Sequence, residues 1–137
     1  MKFRDSSLAH YYLDGLLGIE IGAAAHNPFN IPNCKFVDRT DDPNDVFKQG
    51  SKELCGEVLV PDYIAEGDDL PFEDNTWDYV LSSHVIEHFF DPIKAIKEWF
   101  RVIKPGGYIY IIAPKSRALP GEDRSCTTVQ ELVDRHE

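Results

Sequence analysis

The chain has 137 residues, of which 42% are hydrophobic and 28% are charged, a composition typical of one folded globular domain over residues 1–137. The formal net charge of −10 repels phosphate backbones and no apolar stretch approaches a membrane span, so neither nucleic acid nor a membrane is an expected partner. The three cysteines share no metal-ligand spacing, which predicts no metal site and a reducing, cytoplasmic location.

The first predicted elements are a short helix and a central strand. Asp5–Ser7 can cap a helix that continues through Leu13. Leu16–Ile21 is too short for a helix and rich in branched residues, which predicts a buried parallel strand. Gly22 and Ala23 then begin a run of small residues, so a ligand could approach the backbone amides closely. Tight packing of a helix on the sheet would produce the same pattern, and both interpretations remain open here.

Two carboxylates occur near the ends of the first two predicted strands. Glu20 lies in an otherwise apolar strand, where an unpaired carboxylate is costly, so we expect it near loop amides at the carboxyl end of the sheet. Lys35–Asp38 predicts a second strand. Its terminal acid follows Gly22 by 16 positions, about the spacing at which a βαβ nucleotide site places its ribose-binding acid.

The middle of the chain predicts a second crossover and an edge strand. We expect a helix over Pro43–Leu54 and a third strand over Val58–Ala65, in which Pro61 favours an edge position. The following loop, Glu66–Thr76, contains five acidic residues. Such a run is usually a solvated surface, but directly after a strand it can offer a carboxylate and a backbone N–H to a nucleobase.

A fourth strand is predicted over Trp77–Ser82. Ser83 and His84 then emerge at its carboxyl end, where open α/β sheets bind their ligands. His84 and His88 are four positions apart and could meet on one helical face, as zinc ligands do. No third ligand has a matching spacing, so we predict no metal.

The last predicted elements are a helix, a strand and a final helix. The first of these begins at Asp91 and Pro92, and Lys104–Gly107 ends it and turns the chain. Tyr108–Ala113 predicts a fifth strand buried on both faces, and a final helix starts near Thr127 or Thr128. Helical spacing assigns these residues to the core: Ile93, Ile96, Trp99, Phe100 and Ile103.

Taken together, five short motifs in order resemble a class I S-adenosylmethionine-dependent methyltransferase of the small-molecule type, from Leu16 to Pro114. The motifs are Glu20–Gly22, Asp38, Ala65–Phe72, Trp77–His88 and Lys104–Gly107. The resemblance implies a doubly wound, Rossmann-like and mostly parallel α/β sheet of about five strands in the order 3-2-1-4-5, flanked by helices. The last two strands of the family fold are absent from this sequence.

The resemblance also implies a function. It predicts S-adenosylmethionine as the cofactor and methyl transfer to a small-molecule or sugar-type acceptor. The alternative is a non-catalytic module that binds S-adenosylmethionine or S-adenosylhomocysteine, or serves in assembly. A dehydrogenase is disfavoured because Gly-Ala-Ala-Ala-His at 22–26 does not supply the Gly-x-Gly-x-x-Gly motif.

Several residues receive roles from the family pattern. Asp38 binds the ribose, and Glu20 reaches the ammonium through water. Glu66 accepts from the adenine amino group while the Gly67 N–H serves a ring nitrogen, and Asp68 or Asp69 are the competing choices. His84 is the catalytic candidate, a base for an acceptor that needs deprotonation. Ala24 and His26 stand where the family has further glycines, which makes this loop bulkier. The residues expected to bind the cofactor are Glu20, Gly22, Ala23, Asp38, Glu66, Gly67, Asp68, Ser83 and His84, with Asp69 as an alternative in the acidic loop.

An expectation about assembly follows from the strands that the sequence lacks. In the family a seventh strand covers the fifth, so Tyr108–Ala113 is expected to present open N–H and C=O groups on an apolar edge. We therefore expect a homodimer. Either the two fifth strands pair antiparallel, or each polar tail docks onto the partner's sheet.

Overall fold

The computed structural model describes residues 6–22, 29–42, 44–46, 49, 53, 60–114 and 127–137. Their elements in chain order are α1 (Ser6–Leu13), β1 (Gly18–Ile21), β2 (Cys34–Asp38), β3 (Tyr63–Ile64), β4 (Trp77–Ser83), a 3-10 turn (Ile86–His88), α2 (Pro92–Val102), β5 (Ile103–Ile112) and α3 (Val129–His136). Among the described helices, none has the length and hydrophobicity needed to cross a membrane.

The five strands form one parallel sheet in the order β3-β2-β1-β4-β5, which confirms the predicted Rossmann-like fold and strand order. In the register of the sheet, Ile21 of β1 lies opposite Val37 of β2 and Ser82 of β4. The strands therefore end at a common carboxyl edge. The predicted helix over Pro43–Leu54 and the first part of the predicted third strand fall mostly outside the described residues.

Side chains alternate between two cores, one on each face of the sheet. Ile19 and Ile21 pack on the face that α2 covers, together with Trp99. Tyr79 and Leu81 pack on the opposite face, beneath α1. Both faces of the central strands are thus buried, which explains why β1 has almost no polar residue.

Helix α2 begins as predicted and buries a narrower stripe than predicted. Asp91 is its N-cap and accepts a hydrogen bond from the Lys94 backbone N–H at 3.0 Å. The fully buried positions are Ala95, Trp99 and Val102. Phe100 is 64% exposed, so its assignment to the core was wrong. A residue directly after Trp99 points about 100° around the helix axis from it, away from the sheet.

Strand β5 differs from the prediction in its start and its burial. It begins at Ile103 directly after α2, and the predicted turn at Lys104–Gly107 lies within it as a bulge, because β5 passes from Ile103 to Tyr108 while β4 passes from Trp77 to Tyr79. A Cβ on Gly107 would lie 2.5 Å from the Asp78 carbonyl oxygen, which explains a glycine there. The prediction of burial on both faces was also wrong. Tyr108 and Ile111 are exposed because β5 is the last strand of the described sheet.

Helix α3 begins one residue after its predicted cap and packs on α2. Thr128 and Glu131 form a capping box, which confirms the predicted start. At the other end, His136 Nδ1 donates to Asp91 Oδ2 at 2.8 Å, and Lys97 Nζ lies 3.0 Å from His136 Nε2. These contacts hold the end of α3 at the start of α2, near the carboxyl edge of the sheet.

Candidate functional site

The turn after β1 is built around Gly22. Its φ is +73°, and its N–H donates to the Val37 carbonyl at 2.8 Å. A Cβ at Gly22 would lie 2.6 Å from Val85 Cγ2, so this position admits only glycine without movement of the β4 exit. Ala23, the next predicted binding residue, lies outside the described residues, as do Ala24 and His26.

Asp38 ends β2 beside the end of β3. Its Oδ1 accepts a hydrogen bond from the Arg39 backbone N–H at 2.8 Å, and its carbonyl accepts from Ala65 N–H at 2.9 Å. The carboxylate is thus fixed at the carboxyl edge, next in the chain to Val37, which hydrogen-bonds to Gly22. This is the position at which a doubly wound sheet meets a ribose.

The acidic loop starts with a tight turn that carries Glu66, Gly67 and Asp68. The turn is closed by the Asp69 N–H, which donates to the Glu66 carbonyl at 3.1 Å. Gly67 is buried, and its carbonyl accepts a 2.7 Å hydrogen bond from the indole N–H of Trp99. Glu66 is exposed, whereas the carboxylate of Asp68 lies 3.5 Å from Lys94 Nζ. Of the two carboxylates, Glu66 therefore has the more open position.

Glu20 is buried in β1 at 3% exposure. Its Oε2 has no hydrogen-bond partner among the described residues, so the expected contact with loop amides is not seen there. Burial raises the pKa of Glu20 to about 8, and burial also raises the pKa of Cys34 to about 12. The buried hydroxyl of Tyr79, near both groups, has its pKa raised in the same way. This cluster on the α1 face is therefore mostly uncharged at pH 7.

The exit of β4 holds the catalytic candidate. Ser83 is the last residue of β4, and His84 follows with φ +55°, a left-handed conformation that non-glycine residues seldom adopt. The His84 N–H donates to the Ile112 carbonyl at 2.8 Å, and its side chain is half exposed. Glu87 Oε1 lies 4.0 Å from His84 Nδ1 and 3.7 Å from His88 Nε2. In the part of the chain that the structure describes, no group of three or more His, Cys, Asp or Glu side chains could hold a metal ion.

The ends of β1 to β4 thus bring Gly22, Asp38, the Glu66 turn and His84 to one edge. The sequence prediction gave no site role to Glu87, which lies between two histidines, and it missed the α2 side chains that hold the acidic loop. The sequence analysis predicted that Trp99 is buried. Because a buried indole N–H usually has a hydrogen-bond partner, this was the available signal for a contact between α2 and another segment.

Comparison with known proteins identifies the family. A family model described as "Methyltransferase domain" matches residues 33–111. The chain belongs to this family. Of solved structures, the methyltransferase-domain chain is similar to a SAM-dependent methyltransferase of Thermotoga maritima, a possible histamine N-methyltransferase, with 25% identity and a TM-score of 0.55 over 78% of this chain and 48% of that one. The [4+2]-cyclase SpnF shares the fold at 20% identity and a TM-score of 0.59, over 96% of this chain and 55% of that one.

Curated methyltransferases resemble parts of the chain more closely in sequence. Demethylmenaquinone methyltransferase of Clavibacter sepedonicus is 39% identical over 62 residues, which is 45% of this chain and 25% of that protein. The 2-methyl-6-phytyl-1,4-hydroquinone methyltransferase 2 of Oryza sativa subsp. japonica is 35% identical over 82 residues, or 60% of this chain and 22% of that protein. The methyltransferase-domain chain thus spans about a quarter of the length of these relatives.

The family and the fold imply S-adenosylmethionine as the cofactor. The described residues fit this group in the chemistry of their donors and acceptors. The carboxylates of Asp38 and Glu66 are acceptors of the kind that a ribose diol and an amino group require, and the unpartnered Oε2 of Glu20 could accept from a cation or a water. An edge rich in carboxylates suits a cofactor that carries a sulfonium and an ammonium group.

Proposed function

We propose that the chain binds S-adenosylmethionine at the carboxyl edge of the sheet and takes part in methyl transfer to a small-molecule acceptor. The observation that carries this proposal is the convergence of Gly22, Asp38, the Glu66 turn and His84 from four strand ends. Ligands of open α/β sheets bind at this edge, where the strand order reverses.

In the proposed site, Asp38 accepts hydrogen bonds from both ribose hydroxyls, and Glu66 accepts from the adenine amino group. Gly22 and Ala23 let the backbone approach the amino-acid end, and Glu20 reaches the ammonium through water. The remaining residues of the proposed site are Gly67 and Asp68, which contribute through the backbone of the turn, and Ser83, which lies at the end of β4. The Arg39 N–H that holds Asp38 Oδ1 supports the first role, because it orients the carboxylate before a ligand arrives.

When bound, the cofactor supplies an electrophilic methyl group on its sulfonium. The chain then has to hold the acceptor in line and exclude competing water. His84 takes the proton of an acceptor hydroxyl or amine at its imidazole, and it has the required access because its side chain is half exposed at the strand exit. Glu87, 4.0 Å away, would stabilise the imidazolium that results.

For the acceptor, the named relatives favour a small molecule. One of them is named for demethylmenaquinone, which is a quinone, and another is named for a phytyl hydroquinone, whose ring carries two hydroxyl groups. A quinol-type acceptor is therefore our first choice for this chain, with a sugar-type acceptor as the second.

The same proposal includes a homodimer through β5. The support for it is the apolar edge itself: in the described sheet β5 pairs with β4 alone, and Tyr108 and Ile111 are exposed. The ring of Tyr12 from α1 lies 5.5 Å from that of Tyr108, which extends the apolar surface beyond the strand. The open edge of an apolar strand is a template for pairing with a second copy.

The second candidate function is a non-catalytic binding or assembly module. The fold alone does not exclude it, because one fold can serve different functions, and a cyclase shares this one. Calorimetry with S-adenosylmethionine, S-adenosylhomocysteine and NAD, followed by turnover assays with a quinol and a sugar acceptor, separates the candidates. We expect the first two ligands to bind and NAD not to bind. Binding without turnover on either acceptor would favour the module, and absence of binding would refute the proposal.

A further inference from the structure

The turn at Glu66–Asp69 is held from inside the protein by Trp99. The Trp99 side chain is fully buried in α2, and its Nε1 donates to the Gly67 carbonyl oxygen at 2.7 Å. The other tryptophan, Trp77, is also buried in the same core, but its Nε1 has no partner among the described residues. The fold therefore tolerates a buried indole N–H without a described partner. The need of a buried N–H for an acceptor is thus not a sufficient reason for the hydrogen bond between Trp99 and Gly67.

Gly67 is tightly confined on its other sides. A Cβ at this position would lie 2.7 Å from Phe89 Cζ and 2.8 Å from Ile21 Cγ2. Ile21 is the last residue of β1, so the turn packs against the strand that leads into Gly22. With packing on two sides and a hydrogen bond on the third, the Gly67–Asp68 peptide has a fixed orientation.

That orientation decides where the next N–H points. In a planar trans peptide the C=O and N–H bonds point in opposite directions. Because the Gly67 carbonyl points into the core towards Trp99, the Asp68 N–H points away from the core. The described residues provide no acceptor for this N–H, and Asp68 is half-buried. A half-buried N–H without a protein acceptor is suited to a ligand.

Two further side chains of α2 hold the loop beyond the turn. Glu98 Oε1 accepts from the Leu70 N–H at 3.0 Å, and Arg101 donates to the carbonyls of Leu70 at 3.2 Å and Phe72 at 2.8 Å. Glu98 and Arg101 also bind each other, with Arg101 Nε 3.0 Å from Glu98 Oε2. Helix α2 thus fixes the backbone of the acidic loop at Gly67, Leu70 and Phe72.

We propose that Trp99 is a positioning residue for base recognition: its indole N–H fixes the Gly67–Asp68 peptide so that the Asp68 N–H donates to a ring nitrogen of the adenine. This rests on the proposed function, since it requires an adenine at the Glu66 turn. Trp99 touches no ligand and acts through the backbone of the turn.

The test compares S-adenosylhomocysteine with its 1-, 3- and 7-deaza analogues, in which a C–H replaces one ring nitrogen. Calorimetry is done on the wild-type chain and on Trp99→Phe, which keeps an aromatic ring and loses the N–H donor. Trp77→Phe is the matched control, because it removes a similar volume from the same core without loss of a hydrogen bond. For each protein we compare the affinity for S-adenosylhomocysteine with the affinity for each deaza analogue. A general loss of stability weakens all four ligands alike and leaves these ratios unchanged.

In the wild-type chain we expect one deaza analogue to bind about tenfold more weakly than S-adenosylhomocysteine, the effect of one lost hydrogen bond that leaves a donor unsatisfied. Trp99→Phe should bind all four ligands within about twofold of one another, whereas Trp77→Phe should keep the wild-type ratio. A tenfold ratio that survives in Trp99→Phe would overturn the inference. Equal wild-type affinity for all four ligands would also overturn it, while leaving the proposed function intact. Failure of the wild-type chain to bind S-adenosylhomocysteine refutes the proposed function itself.

If Trp99→Phe does not fold, an isosteric replacement serves instead. In a Trp77→Phe chain, Trp99 is the only tryptophan and can be replaced by benzothienylalanine, which keeps the bicyclic shape and has no N–H. The same loss of discrimination is expected, and retention of the tenfold ratio would again contradict the proposal.

Discussion

The ring of Tyr79 in β4 crosses β1 directly above Gly18, where an added Cβ would lie 2.5 Å from three ring atoms. Gly18 and Tyr79 are direct neighbours in the register of the sheet, and Tyr79 is fully buried. A glycine in a central strand weakens it, so its presence indicates that the close approach of the ring requires it. The ring also forms part of the cover over Glu20 and Cys34, whose pKa values burial raises.

We expect Gly18→Ala to destabilise the protein by about 1–3 kcal/mol, because the Tyr79 ring has to move within a packed core. Gly106→Ala is the control. Gly106, unlike Gly18, has a positive φ of +81°, and no atom lies within 4 Å of an added Cβ, so only conformational strain of about 1 kcal/mol is expected. Urea unfolding measures both, and a smaller effect at Gly18 than at Gly106 would contradict the packing argument.

Glu20 predicts an unusual dependence of stability on pH. Because the folded pKa of about 8 is above the ordinary 4.5, the folded state binds a proton more tightly than the unfolded state. The free energy of unfolding therefore falls as the pH rises from about 5 to 8, by up to about 1.4 kcal/mol per pH unit. The carboxyls with lowered pKa values, Asp78, Asp91 and Glu98, act in the opposite direction, but their contribution is complete above their ordinary values of 3.8 to 4.5.

Glu20→Gln should remove that slope, since the amide stays neutral at every pH. Unfolding in urea at pH 5, 6, 7 and 8 would show a smaller pH dependence for the variant and a stability gain that is largest at pH 8. Parallel curves for the two proteins would mean that Glu20 ionises without cost in the folded state.

The patterns that predicted the fold were those with a single physical interpretation. The apolar run Trp77–Ser82 correctly predicted a strand, and the capping acid Asp91 with its following proline correctly predicted the start of a helix. Both signals are complete within a few consecutive residues. Lys104–Gly107 was predicted to turn the chain because proline and glycine usually mark a turn, and the structure has a bulge there. What the sequence does not display is that this bulge lies inside β5, where the close passage over the Asp78 carbonyl requires Gly107.

For the site, the sequence predicted residues that end strands and missed residues that act from behind them. Asp38 and His84 could be predicted because their place in the strand pattern puts them at the carboxyl edge. Glu98 and Arg101 bind the acidic loop from 28 to 31 positions away, through backbone atoms that are the same in every residue. Side-chain contacts with a backbone leave no pattern in the partner's sequence.

Asp38→Ala should weaken binding of S-adenosylhomocysteine by about 2–4 kcal/mol, because two charge-assisted hydrogen bonds to the ribose are lost. The control is His88→Ala, a change to an exposed residue of the 3-10 turn, for which we expect a much smaller effect. Calorimetry at one ionic strength measures both. Equal losses in the two variants would contradict the assignment of Asp38 to the ribose.

A charge on the β5 edge should prevent the proposed dimer. Light scattering after size exclusion is expected to give a dimer for the wild-type chain at micromolar concentration, and a monomer for Ile111→Lys, because a lysine protects an exposed strand edge. Val129→Lys places the same charge on a more exposed apolar residue of α3, away from the edge, and should leave the dimer intact. A monomeric wild-type chain would defeat the proposal.

The contact between Gly22 and Val85 allows a test of the turn that separates shape from backbone strain. In Gly22→Ala the new Cβ would lie 2.6 Å from Val85 Cγ2, so either the turn or the β4 exit has to move, and both belong to the proposed site. We expect the affinity for S-adenosylhomocysteine to fall at least about tenfold, a cost of about 1.4 kcal/mol.

Adding Val85→Ala removes the clashing methyl groups and should restore most of the affinity, leaving about 1 kcal/mol for the left-handed φ of +73° at a non-glycine residue. Val85→Ala alone should bind the ligand within about twofold of wild type, since the contact it loses is with a glycine that needs no support. If the double variant binds no better than Gly22→Ala, the glycine is required by its backbone conformation or by the ligand, and the steric contact with Val85 is not the reason.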